Sequence, residues 1–196
     1  MIAYLEGRLA LKEPTHVILD VSGIGYEVKI SLSTYSAIKG QEKAKIHTHF
    51  HVKEDAQTLF GFSEVSEKKR FLDLISINGV GPSTALMILS SLSPEELQSA
   101  ILAENTGMIQ AVKGVGAKTA QRIILELKDK MKKEGLHDRV IENVSSPSNT
   151  LKNEALSALA TLGINKSAAE KTIQSLLKEN ADISLEDLIK LALKRA

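Results

Sequence analysis

Apolar and polar residues alternate with a two-residue period over the first third of the chain and switch to a helical period afterwards. Val17-Ile18-Leu19-Asp20-Val21 and Tyr26-Glu27-Val28-Lys29-Ile30 read as strands, with Ser22-Gly23-Ile24-Gly25 as the turn between them. Lys45 to Val52 and Thr58 to Phe62 add further strands, for about five before Ser63. Short strands at this spacing predict a small closed barrel of the oligonucleotide-binding (OB) type, although an open antiparallel sheet gives the same signals. After Ser66 the helical period holds to about Lys133, and Ser93-Pro94-Glu95-Glu96 carries an N-cap, a first-turn proline and an acidic first turn. Gly135 to Thr150 contains few apolar residues and is expected to form a mobile linker. Three helices are predicted beyond it: Lys152 to Leu162, Lys166 to Lys178, and Leu185 to Arg195 with Ser184 as N-cap. Leu156, Leu159, Leu162, Ile173, Leu176, Leu177, Leu185, Leu188, Ile189 and Leu193 are positioned to share one small core.

The expected fold is multidomain α+β. It has a barrel over 1–63, an all-α domain over 64–134, a linker over 135–150 and a small three-helix, UBA-like bundle over 151–196. A bundle this small on a tether suits docking better than catalysis, since it has no histidine and its carboxylates fall on solvated positions.

The charge balance narrows the function less than expected. The chain has 25 basic and 24 acidic residues, for a formal net charge of +1, so any phosphate-binding face must be local. Four phenylalanines, three tyrosines and no tryptophan make a base-stacking surface for single strands a poor fit. The absence of cysteine excludes disulfides, thiol catalysis and thiolate metal sites. No apolar run reaches the roughly 20 residues of a membrane span, and Met1-Ile2-Ala3-Tyr4-Leu5-Glu6 lacks a basic leader, so the expected address is cytoplasmic, with no membrane partner.

The strongest signal is an internal repeat. Gly79-Val80-Gly81-Pro82-Ser83-Thr84-Ala85 recurs as Gly114-Val115-Gly116-Ala117-Lys118-Thr119-Ala120, offset by 35 residues and identical at five of seven positions. Each copy lies between helical stretches, which is the form of a helix-hairpin-helix. Glycines permit positive φ and close approach of backbone to a ligand, and the N–H groups opening the next helix point outward, where a phosphate oxygen can accept from them. Such donors see phosphate and not bases, so binding is expected to ignore sequence. A single Gly-x-Gly turn would read as a plain corner between helices, whereas the duplication favours two phosphate clamps set to grip both strands of a duplex. A P-loop is excluded because Ala117, not glycine, precedes Lys118, and neither copy has the third glycine of a dinucleotide fingerprint. No ATPase activity, cofactor or catalytic residue is therefore expected of this chain.

Two smaller features carry weaker signals. Glu54-Asp55 falls in the loop between two strands, where paired carboxylates are usually a solvated turn. Beside DNA they would repel phosphates and help part strands. His47, His49 and His51 share one face of a strand, but ligands two apart lie about 6.6 Å from each other, so three cannot meet at one ion without a bend. They are expected to be exposed strand surface, with no metal.

These pieces together resemble the RuvA family, the Holliday-junction-binding subunits of the bacterial branch-migration complex. The resemblance spans the chain and rests on the Met1-Ile2 start, Thr48-His49-Phe50, Glu54-Asp55-Ala56-Gln57-Thr58-Leu59-Phe60-Gly61-Phe62, Asn78-Gly79-Val80-Gly81-Pro82, Gly114-Val115-Gly116 with Lys118-Thr119-Ala120, and the tethered tail. It implies a homotetramer, or two stacked tetramers, forming a platform for an open four-way DNA junction in recombination and repair. DNA contacts would come from Asn78, Gly79, Val80, Gly81, Ser83, Thr84, Gly114, Val115, Gly116, Lys118, Thr119 and Arg122. Glu54 and Asp55 would be acidic pins at the crossover. The tail, through Leu156, Leu159, Leu162 and Leu188, would dock the hexameric RuvB ATPase, and the partner list extends to the RuvC junction resolvase. Ser83 and Ala117 stand where related chains often carry lysine, which removes two phosphate-neutralising charges. The rival readings are a helix-hairpin-helix nuclease or glycosylase, for which Asp129 looks like solvated helix surface rather than a catalyst, and a protein adaptor in which both hairpins are corners.

Overall fold

The computed structural model describes residues 1–143, 147–180 and 183–195. These fall into two compact units, Met1–Lys133 and Glu134–Ala196.

The first unit opens with a barrel. Strands β1 (Tyr4–Lys12), β2 (His16–Val21), β3 (Ile24–Ile30), β4 (Lys43–Val52) and β5 (Gln57–Phe62) close in the order β1-β2-β3-β5-β4. All neighbours are antiparallel except β3 and β5, whose parallel pairing of Val28–Ile30 with Leu59–Gly61 completes the ring. Closure leaves no free sheet edge. Val21 pairs with Ile24, so β2 and β3 are joined by Ser22-Gly23 alone, both at positive φ. The inward positions Leu5, Leu9, Val17, Leu19, Val28, Ile30 and Ile46 fill the interior.

Between β3 and β4 lies a helix that the strand pattern did not predict, α1 (Leu32–Ile38), whose N-cap Ser31 accepts from the Thr34 N–H at 3.0 Å. Glu67 connects this helix to the next. It is 2% exposed and accepts hydrogen bonds from the hydroxyls of Ser31 and Thr34, the latter at 2.6 Å, while the Ser63 N–H donates to Thr34 Oγ1 at 3.0 Å. Burial pushes the Glu67 carboxyl above its ordinary range, opposed by these hydrogen bonds.

The helical part contains α2 (Val65–Ile75), α3 (Pro82–Ser91), α4 (Pro94–Leu102), α5 (Thr106–Gln110) and α6 (Ala117–Asn143). The start of α4 is the expected cap: Ser93 Oγ accepts from the Glu96 N–H, and the Glu96 side chain accepts from the Ser93 N–H. A buried ion pair, Arg70 to Asp73 at 2.9 Å, is joined by Lys130 and Gln98 and so ties α2, α4 and α6 together. The barrel and the helices are less separate than the sequence suggests. Phe60 and Phe62 of β5 belong to the helical core, with ring centroids 5.2 and 4.9 Å from Phe71 of α2.

α6 continues through residues 135–143, and α7 (Pro147–Thr161) begins before Lys152, so much of the stretch expected to be a mobile linker has helical backbone. The sequence of 136–143 opposes helix nowhere, and a first-turn proline loses no hydrogen bond. Residues 144–146 of the expected linker lie outside the described residues. α8 (Lys166–Glu179) and α9 (Leu185–Arg195) complete the tail. Ser184 Oγ accepts from the Asp187 N–H at 3.1 Å, as expected of an N-cap. The tail core is Ala155, Leu159, Ala169, Ile173, Leu176, Ile183, Leu188 and Ala192, with Leu156, Leu177, Leu185 and Ile189 against it. Leu162 and Leu193, expected in that core, are 59% and 42% exposed, because Leu162 lies in the turn just past the end of α7 and Leu193 falls on the outer side of α9.

Candidate nucleic-acid interface

The 35-residue repeat is a repeat of conformation. Gly79 has φ +89° and Gly114 φ +87°, values open to glycine and strained for other residues. In the first copy the Val80 N–H donates to Ile77 O at 3.0 Å and the Ala85 N–H to Gly81 O at 3.0 Å. In the second, Val115 donates to Val112 O at 3.0 Å and Ala120 to Gly116 O at 2.9 Å. Each elbow thus seats its valine, closes one tight turn and launches a helix, α3 or α6. Val80 and Val115 are buried, so their side chains anchor the elbows in the core and only their backbones lie near the surface.

The remaining amides are the ones that matter. Gly79, Gly81 and Ser83, and likewise Gly114, Gly116 and Lys118, are exposed, with Thr84 and Thr119 half-buried beside them. Their N–H groups find no acceptor among the described residues, which for Ser83, Thr84, Lys118 and Thr119 is what the first turn of a helix dictates. Gly81 is the N-cap of α3 and supplies no side chain to cover them. A Cβ at Gly81, Gly114 or Gly116 would meet nothing within 4 Å, so each position faces open space. Neither threonine caps its helix through a side-chain hydrogen bond among the described residues.

The two elbows touch. Arg122, one turn into α6, donates from Nη1 to the Asn78 carbonyl oxygen at 2.8 Å, and the same nitrogen lies 3.8 Å from the place a Cβ would occupy at Gly79. The sequence placed Arg122 and Asn78 in one surface without showing that they bond each other. It also passed over Lys113, which is exposed at the position equivalent to Asn78, as the 35-residue offset could have indicated. The second elbow therefore carries Lys113, Lys118 and Arg122, while the first carries Asn78, Ser83 and Thr84 and no cation. Asp129 is exposed on α6, like ordinary helix surface.

Glu54 and Asp55 form the tip of the β4–β5 hairpin. The Lys53 N–H donates to Ala56 O at 2.8 Å and brackets the two carboxylates, which are exposed. The three histidines differ from expectation. They lie on one face of β4, but that face is half-buried rather than exposed, because α2 packs on it. His49 stands 5.6 Å from Phe71 and 6.0 Å from His51, and His51 lies 6.2 Å from Phe60. Burial lowers the His49 imidazole below its ordinary range, with the neighbouring His51 and Lys68 adding to the effect. His51 Nε2 is buried with no hydrogen-bond partner among the described residues. No cluster of three metal-ligating side chains occurs among the described residues.

In the tail, Leu159 and Leu188 are buried in the bundle's own core and Leu156 is packed against it. Of the four leucines expected at a docking face, Leu162 alone is openly exposed. Among the described residues, no helix is long and apolar enough to cross a membrane.

Comparison with known proteins covers the whole chain. Residues 1–61 match the family model described as RuvA N terminal domain, residues 71–129 the SAM-like helix-hairpin-helix tandem, and residues 150–196 the RuvA C-terminal domain. Among the similar curated proteins, one from Cytophaga hutchinsonii is 55% identical over 197 residues, covering 99% of each chain. Another from Amoebophilus asiaticus is 51% identical over 196 residues, 99% of this chain and 100% of its own. A third, from Christiangramia forsetii, is 51% identical over 195 residues and 100% of both. Each is named Holliday junction branch migration complex subunit RuvA. From its barrel through its paired elbows to its helical tail, this chain belongs to the RuvA family.

Proposed function

We propose that this chain binds four-way DNA junctions by shape and holds them for a separate ATP-driven motor. The observation that carries this reading is the pair of matched elbows, each presenting exposed main-chain amides with no acceptor among the described residues. A phosphate oxygen completes those donors, and backbone donors cannot discriminate bases, so the binding is independent of sequence. Two adjoining elbows contact phosphates on both strands of a duplex arm. Lys113 and Lys118 supply long-range attraction to the second strand, which makes affinity fall with salt by about 0.9 in log–log slope for each phosphate neutralised.

One chain offers one pair of elbows, and a junction has four arms, so a homotetramer, or two tetramers face to face, is the assembly that fits. Within it Glu54 and Asp55, at an exposed hairpin tip, act as pins that repel phosphates at the crossover and keep strands apart while they exchange partners. The tail docks the RuvB ATPase through an exposed surface that includes Leu162, while Leu159 and Leu188 shape that surface from inside. RuvC is a further candidate partner that cuts the junction the complex presents. The relatives' names, which place them in a branch migration complex, support this reading. The chain acts as a DNA-holding subunit without chemistry of its own, in a soluble, cytoplasmic setting.

The test is a gel-retardation series with labelled four-way junction, linear duplex and magnesium. The expected result is junction-selective retardation with intact DNA. Nicked DNA would replace the reading with a nuclease, and no shift with either DNA would replace it with an adaptor. Light scattering with and without junction then gives the number of copies.

A further inference from the structure

The two elbows have matching backbones and unequal surroundings. Shifting Arg122 back by the repeat of 35 gives Met87, and shifting Asn78 forward gives Lys113. The bond from Arg122 to the Asn78 carbonyl therefore has no counterpart in the other direction: the second elbow holds the first, and a thioether stands where the reciprocal cation would be. The carbonyl that Arg122 holds belongs to the same peptide as the Gly79 N–H. In a trans peptide these two groups point in opposite directions. Fixing the carbonyl toward α6 thus fixes the Gly79 amide away from it, toward solvent. The guanidinium also draws electron density toward the oxygen and makes the N–H a better donor.

We propose that Arg122 is a positioning residue, which orients the Gly79 amide of the first elbow for a phosphate and locks the spacing of the two elbows, rather than a residue that neutralises a phosphate itself. This rests on the reading of the elbows as phosphate sites. It gives the cation-free first elbow its own source of positive potential, and it makes the pair bind as a unit.

The test uses the full chain with Arg122→Lys and Arg122→Gln. Arg122 is exposed, so neither change disturbs the core. Lysine keeps the charge, but its ammonium sits one bond short of the guanidinium nitrogen that reaches Asn78. In the DNA-free protein, both variants are expected to move the Gly79 amide resonance in 15N spectra and leave that of Gly114 in place. With four-way junction, both are expected to lose roughly tenfold in affinity, with the salt slope unchanged. A Gly79 resonance that stays put in both variants would overturn the proposal. So would an Arg122→Lys protein that binds like wild type while Arg122→Gln loses about 0.9 in slope for every copy on the DNA, since that is the signature of a neutralised phosphate. Wild-type protein that binds no DNA would instead overturn the phosphate reading, and the Gly79 resonance, read without DNA, distinguishes the two failures.

Discussion

Replacing Gly114 by alanine separates the elbow's conformation from its packing. At φ +87° an L residue is strained, and a Cβ there meets nothing within 4 Å, so the protein feels the methyl through the backbone alone. That strain is about 1–2 kcal/mol, against a total of about 5–15 kcal/mol for a domain. The fold survives, with melting lowered by about 3–8 °C. Function is hit harder. The new methyl enters the open space beside the exposed amides of Gly114 and Gly116, and losing one hydrogen bond to a charged phosphate costs about 1.5–3 kcal/mol, or roughly 10- to 100-fold in affinity. Gly40→Ala is the matched control, since Gly40 has an ordinary φ and equally open surroundings. Calorimetric melts and fluorescence anisotropy with labelled junction give both quantities. A folded Gly114→Ala protein that melts lower yet binds junction as tightly as wild type would refute the reasoning, because the elbow would then be a corner and not a ligand site.

Other perturbations address the remaining parts. Glu54→Lys with Asp55→Lys is expected to preserve or tighten junction binding and to erode discrimination against linear duplex in the same anisotropy assay; uniform weakening toward every DNA shape would remove the pins from the account. Glu67→Ala leaves the buried hydroxyls of Ser31 and Thr34 without their acceptor and is expected to cost about 1–3 kcal/mol in urea unfolding. The raised Glu67 carboxyl holds its proton more tightly in the folded protein. It therefore contributes stability that is full below its ordinary value of 4.5 and is lost as pH rises through the folded value, a slope that Glu67→Gln should abolish. His49 has the opposite sense: its depressed imidazole makes the folded state reluctant to charge, so stability is full above 6.5 and lost as pH falls through the lower folded value. Urea midpoints at pH 7.5 and 5.5 should show this, and His49→Phe should flatten it. Truncation at Pro147 is expected to leave junction binding intact and remove stimulation by the motor.

What the sequence revealed, and what it hid, follows from how local each signal is. The elbows were legible because Gly79 and Gly114 are demanded by backbone conformation and recur at a fixed offset with Val80 and Val115 as anchors. The Ser93–Glu96 cap was legible for the same reason, since both partners lie within four residues. The closed barrel was expected from the number and spacing of the strands, but the parallel pairing of β3 with β5 that completes it joins segments about thirty residues apart in a pattern that an open sheet would share. The short helix α1 is hidden between strong strand signals, although Ser31 before it and Gly40 after it mark its ends. Alternation correctly placed His47, His49 and His51 on one face but could not show that Phe71 of α2 covers it. The leucines expected to dock the motor raise a related point. Helical periodicity finds the apolar stripe of a helix, and in a three-helix bundle that stripe is its own core, which is where Leu159 and Leu188 lie. The bond between Arg122 and Asn78 spans 44 residues and left no trace in the repeat, whose first copy has Met87 instead.

The proposed function stands on phosphate binding at the exposed, unpartnered amides of both elbows. Titration of 15N-labelled protein with unlabelled four-way junction tests it most directly. The account predicts that the amides of Gly79, Gly81, Ser83 and Thr84 shift together with those of Gly114, Gly116, Lys118 and Thr119, whatever the base sequence of the arms. Shifts confined to the barrel or the tail, with both elbows unmoved in the presence of bound DNA, would contradict it.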